Sequence, residues 1–238
     1  MGKQKNIRLR CTVENIIYYQ WKDIDCMRTV PPRVRQTDPT KKEASNFGVA
    51  VKYAAVARSM FRKIVEELPP GRSVIHTTDG AFRNWLRTAP LDDNTPIDGI
   101  SFFDGLSLND TIDFRRLMQV PVHISRGDNG SLQLQWPGFN PLTSFKAPTG
   151  TVQITIKYLA ATIDMRQPGL YHDVKTEFSV PYIDTTLPAG KIMMENVTAP
   201  GSLVLVAIAM YYYRDNLKNE PVNILRWKPS GITASFYN

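Results

Sequence analysis

"TVQITIKYLAATID" (Thr151–Asp164) and "SLVLVAIAMYYYR" (Ser202–Arg214) decide the fold. The first alternates through Val152, Ile154, Ile156 and Tyr158. Alternation is the two-residue period of a strand, whose side chains point to opposite faces in turn. The second holds the longest apolar run, Leu203 to Tyr213. A helix needs about 20 apolar residues to span a bilayer, so this run is too short to cross one and reads as a strand. Further strand candidates surround these two: "LQLQW" (Leu132–Trp136), "KTEFSVPY" (Lys175–Tyr182), "KIMMENV" (Lys191–Val197), "ILRW" (Ile224–Trp227) and "ITASFY" (Ile232–Tyr237). Their separators, "RGDNG", "PAG", "TAPG" and "KPSG", are turn sequences. Short strands spaced by turns predict an antiparallel sandwich over residues 116–238. Trp136 on an early strand and Tyr211 to Tyr213 on a late one suit an immunoglobulin or fibronectin type III-like β-sandwich.

Upstream, the pattern turns helical. Phe47, Val51, Ala54, Ala57, Phe61, Val65 and Leu68 recur at spacings of three and four, beside a second line of Val49, Tyr53, Val56, Met60 and Ile64. Lys52, Ser59, Arg62, Lys63 and Glu66 form a narrow polar stripe, so this helix is expected to be buried by more than one neighbour. Thr40 or Asp38 is the expected cap, with Glu43 placed for a capping box, and Pro69-Pro70-Gly71 the stop. The helix spans about 41–68; a second, about 78–88, begins near Thr78-Asp79 and carries Phe82, Trp85 and Leu86.

Residues 7–30 predict a three-stranded ribbon with turns at Glu14-Asn15 and Lys22-Asp23. One face carries Cys11, Val13, Ile16, Tyr18 and Met27; the other carries Arg10, Thr12, Ile17, Tyr19, Trp21, Ile24 and Arg28. A small ribbon with two apolar faces is not stable alone and needs a covering layer or another subunit. "PPRVRQTDP", with Pro31, Pro32 and Pro39, then reads as an extended basic arm over 31–40. The expected organisation is an α+β module over 1–115, followed by the β-sandwich domain.

Net charge is +7, and it is uneven. Residues 1–90 hold 17 Lys and Arg against 8 Asp and Glu, whereas the rest holds 12 against 14. A basic segment fits a polyanion or an acidic protein surface. The start "MGKQKNIRLR" lacks the apolar stretch of a signal peptide, which predicts a cytoplasmic protein with no membrane partner; a virion protein fits the same features. Two cysteines, Cys11 and Cys26, do not make a disulfide framework. His76, His123 and His172 are too scattered for a zinc site. No phosphate-cradling glycine loop and no nucleophile with a base is readable. The expectation is a non-enzymatic protein with no cofactor and no metal. Arg126-Gly127-Asp128, the tripeptide integrins recognise, reads as part of a hairpin turn with Asn129-Gly130.

The residues left for function are Tyr18, Tyr19, Trp21, Arg28, Arg33 and Arg35, an aromatic and arginine set suited to a protein interface. The alternative is nucleic-acid binding, which would add Arg8, Arg10, Lys41 and Lys42.

The stretch from Ile16 to Thr40 resembles the opening of a Bacteroidetes protein family of unknown function. Its members begin with an aromatic hairpin of the type YYxxKGxxxxRxxP, a basic arm and a helix, often followed by a β-sandwich. Tyr18, Tyr19, Lys22, Arg28 and Pro31 match that pattern, while Asp23 stands where the family has glycine. A glutamine common at the family's helix start is also absent. The resemblance implies architecture and no activity. By analogy with arm-plus-helix openings of small phage structural proteins, the expected role is a self-assembling homo-oligomer, or a protein docking on another protein.

Overall fold

The structure, a computed structural model, describes residues 11–22, 24–31, 36–65, 71–89, 96–167, 169–219, 222 and 228–238. The fold is α+β with antiparallel sheets. The chain divides into two compact units, Met1–Ala44 and Ser45–Asn238.

In the first unit, β1 (Thr12–Val13), β2 (Ile16–Trp21) and β3 (Ile24–Thr29) form a three-stranded meander. Thr12 pairs with Ile17, Tyr18 with Met27 and Tyr19 with Cys26. Glu14 and Lys22, at φ 50 and 48, take the left-handed turn conformation.

Helix α1 (Asp38–Phe61) begins in the first unit and ends in the second. Thr37, not Thr40 or Asp38, caps it: Thr40 N donates to Thr37 Oγ1 at 3.4 Å. Pro39 therefore lies in the first helical turn rather than in an arm, at a position where no N–H is needed. The helix stops at Phe61, with turns over 62–65; Leu68 lies outside the described residues. Phe47 and Val49 are exposed, and the first buried residue of the helix is Ala50. The buried residues of the helix all lie in its second half. Helix α2 (Arg72–Thr88) starts six residues before Thr78. Thr78 and Asp79, expected near its start, sit inside the helix, where Arg58 of α1 meets them: its Nη1 lies 2.6 Å from both Thr78 Oγ1 and Asp79 Oδ1.

Eight further strands follow: β4 (Ile97–Asp98), β5 (His123–Arg126), β6 (Leu132–Trp136), β7 (Gln153–Asp164), β8 (Tyr171–Pro181), β9 (Gly190–Met194), β10 (Ser202–Tyr213) and β11 (Ser230–Tyr237). A short helix α3 (Pro141–Ser144) lies between β6 and β7. "ILRW" lies outside the described residues. The sheets are five-stranded, β4-β11-β10-β7-β8, and three-stranded, β5-β6-β9.

Two cores form on the two faces of the five-stranded sheet. Leu203, Leu205, Ala207 and Ala209 of β10 pack with Leu159 and Ala161 of β7 against Ala54, Ala57, Phe82 and Trp85 of the helices. Val204, Val206, Ile208 and Met210 pack with Ile156 and Tyr158 against Leu132, Leu134 and Met194 of the other sheet. The layers are thus helices, sheet, sheet. This is why β10 is apolar at successive positions: both its faces are buried, which abolishes the usual alternation. A bulge shifts the β10–β11 register between Val206 and Ala207 and leaves Thr233 unmatched. It turns Ile232 toward the helices and Phe236 toward the second sheet.

The helices share their core with the five-stranded sheet. Residues on both sides of residue 115, the boundary expected from the change of pattern, thus contribute to one core, and the division into compact units falls between Ala44 and Ser45.

Candidate functional site

Alternation along β2 and β3 sorts the meander's side chains. Ile17, Tyr19, Trp21, Ile24, Cys26 and Arg28 lie on one face, and Val13, Ile16, Tyr18 and Met27 on the other. The guanidinium of Arg28 lies over the Tyr19 ring at 5.7 Å, and Lys22 Nζ over the Trp21 ring at 5.6 Å. Both are cation–π contacts, worth about 0.5–1 kcal/mol at exposed sites. Trp21 is 64% exposed, Ile24 66% and Met27 70%. These are large apolar groups left in water.

Tyr19, Trp21 and Arg28 are therefore brought together, while Tyr18 is half-buried on the opposite face. Ile24 and Met27 are more exposed than either tyrosine and belong to the same surfaces, yet aromatic and arginine content alone did not single them out. Their pairing opposite Trp21 and Tyr18 is the signal that finds them. Arg8, Arg10, Arg33 and Arg35 lie outside the described residues. Lys41 is exposed and bonds Asp38 at 3.1 Å within the first turn of α1; Lys42 is exposed. Cys11 and Cys26 are free thiols on opposite faces of the meander.

Within the second unit a cleft of about 450 Å³ is lined by Ser73, Thr77, Phe102, Asp104, Asp110 and Arg115, among others. Several of its polar groups already engage one another or their surroundings. Thr77 Oγ1 donates to Ser73 O at 2.9 Å, and Asp104 Oδ1 accepts from Ser235 Oγ at 2.5 Å. Arg115 forks onto Asp113, with Nη2 to Oδ2 at 2.8 Å; that hydrogen bonding holds the Asp113 carboxyl below its ordinary pKa. Partial burial pushes the Asp104 carboxyl up, against the lowering effect of Ser235. No histidine or cysteine lines the cleft.

His76 is exposed on α2, and His123 is exposed on β5. His172 and Asp173 sit on β8: Nε2 of His172 lies 2.8 Å from Asn196 O, and Asp173 pairs with Lys63. Among the described residues no three His, Cys, Asp or Glu side chains are grouped to hold a metal ion, and no helix is long and apolar enough to cross a membrane. No family model, no curated protein and no solved structure matches this chain.

Proposed function

We infer that this chain is a non-enzymatic structural or interaction protein that self-assembles through its N-terminal meander. The carrying observation is the concentration of exposed apolar side chains, Trp21, Ile24 and Met27, in one small sheet. Apolar groups of this size are the usual anchors of an interface. Tyr19 and Arg28, already stacked, would add an amphipathic rim, and the charges of Arg28, Arg33 and Arg35 would meet an acidic patch on the neighbour.

For the scaffold, a fibronectin type III-like sandwich is the reading the strand order supports. Three strands, β5-β6-β9, face four, β11-β10-β7-β8, and the chain crosses between sheets after β6, β8 and β9. The strand β4 and the helices would be additions to that plan.

Light scattering on the intact chain and on a chain lacking residues 1–40 tests the function. The intact chain is expected to have the larger mass, and the shortened chain to remain folded. Equal masses at high concentration would sink the reading; an unfolded shortened chain would make the meander part of the core instead.

A further inference from the structure

Strand β8 is eleven residues long and lies at the edge of the five-stranded sheet. Among the described residues no strand pairs with its outer side. Long open edges are templates for pairing, and proteins ordinarily blunt them with lysine, proline or a bulge. Here the eleven-residue register with β7 runs unbroken from Tyr171 to Pro181, and the only proline is the last residue.

The ladder fixes which groups face outward. Beyond one end of β8, Asp164 N donates to Leu170 O at 3.0 Å; beyond the other, Tyr182 N donates to Val152 O at 2.8 Å. Both contacts put even-numbered residues of β8 in hydrogen-bonded pairs with β7. The N–H and C=O groups of Asp173, Lys175, Glu177 and Ser179 therefore turn to the open edge.

We propose that β8 pairs with β8 of a second copy, antiparallel about a two-fold axis at Thr176, so that the sheet continues across a dimer. This register sets Lys175 opposite Glu177 of the second copy, twice by symmetry. It sets Asp173 opposite Ser179, so all the outward-facing groups meet outward-facing groups. On the other face Val174 meets Phe178, both half-buried in the monomer. Neighbouring registers fail. An axis at Lys175 would oppose Lys175 to itself and Asp173 to Glu177; an axis at Glu177 would oppose Glu177 to itself. Like charges directly opposite destabilise a strand pair, which excludes both. An axis at Val174 would set Asp173 opposite Lys175, but it pairs only residues 171–177 of the strand, and Asp173 already has Lys63 as its partner. Lys175 alone would protect the edge, but Glu177 two residues on makes the edge self-complementary. Lys175 and Glu177 are exposed. Glu177 faces Lys218 at 3.2 Å in a largely exposed pair that a second lysine can share, and Asp173 is held by Lys63 of its own chain. The interface is isologous and closes at two copies.

This edge uses none of the meander's residues, and the test distinguishes the two. Light scattering would be run on the full chain carrying W21S and I24S, which removes two of the meander's three most exposed apolar anchors, the pair that shares a face with Tyr19. That chain is expected at the mass of two copies. Adding Lys175→Glu should halve the mass, Glu177→Lys should do the same, and the pair K175E/E177K should restore it, with circular dichroism showing each chain folded. A monomeric W21S/I24S chain overturns the edge pairing, as does an unchanged mass in both folded single variants. Failure of the meander reading looks different: the wild-type and W21S/I24S chains would then have the same mass.

Discussion

Arg126 donates from Nη2 to the carbonyl of Tyr237 at 2.7 Å, across 111 positions of sequence. The same nitrogen reaches Ile97 O at 2.8 Å, Nε lies 2.6 Å from Asp98 Oδ1, and the guanidinium stands over the Phe236 ring at 5.6 Å. One side chain on β5 thus ties the three-stranded sheet to β4 and β11 of the other. The arginine of the Arg-Gly-Asp tripeptide is a clamp inside the fold, beside the hairpin turn at Asn129 and Gly130, where φ is positive. Arg126→Ala should destabilise the protein by about 2–3 kcal/mol, the scale of hydrogen bonds to a charged group. Arg126→Lys should recover little, because an ammonium cannot reproduce the fork. Denaturant unfolding of the three chains checks this.

Arg58 and Asp79 hold α1 to α2 with both side chains about nine-tenths covered. Removing one partner leaves a covered charge uncompensated, so Asp79→Ala should cost about 3 kcal/mol. Asp79→Asn retains an acceptor and should cost less. Thermal melts of both variants distinguish a charge effect from simple loss of packing.

Tyr158 is fully buried, stacked near Phe178 at 6.3 Å, and its hydroxyl has no hydrogen-bond partner among the described residues. Burial drives its pKa far up, which keeps the hydroxyl neutral. An unmet buried hydroxyl carries a desolvation penalty of about 1–3 kcal/mol. Tyr158→Phe should therefore leave stability unchanged or raise it by about 1 kcal/mol. A clear loss of stability on denaturant unfolding would mean that the hydroxyl is met by a group not seen here.

Asp104 titrates upward because partial burial disfavours its charge. The native state then holds the proton more tightly than the unfolded chain, so protonation stabilises the fold as pH falls through the raised pKa. Asp104→Asn keeps an acceptor for Ser235 and should melt slightly higher than wild type at neutral pH. The difference should shrink as pH falls through the raised pKa and vanish below the ordinary value of 3.8. Melting curves of both chains across that range measure it; a constant difference at every pH would remove burial of the charge as the cause.

Local pattern determined much of this protein. Period-two alternation marks β7, and tight turns at Glu14-Asn15 and Lys22-Asp23 already imply the pairs Tyr18–Met27 and Tyr19–Cys26 seen in the meander. Such features are legible because each depends on neighbours within a few residues. The apolar run of β10 also carried a signal: with both faces apolar, the strand needed a layer on each side. What covers the second face was decided by tertiary packing, since Leu205 and Ala207 meet α1 and α2 from far upstream. The start of α2 was likewise hidden, because Asp79 reads as a cap until Arg58 is placed beside it. Arg126 looks like a turn residue until β11 arrives at it. The open edge of β8 is a property of strand order, which no local period encodes. Sequence period fixes which way a side chain points. Only the folded chain decides what it meets there, because burial and long-range hydrogen bonds are set by residues with no regular spacing from it.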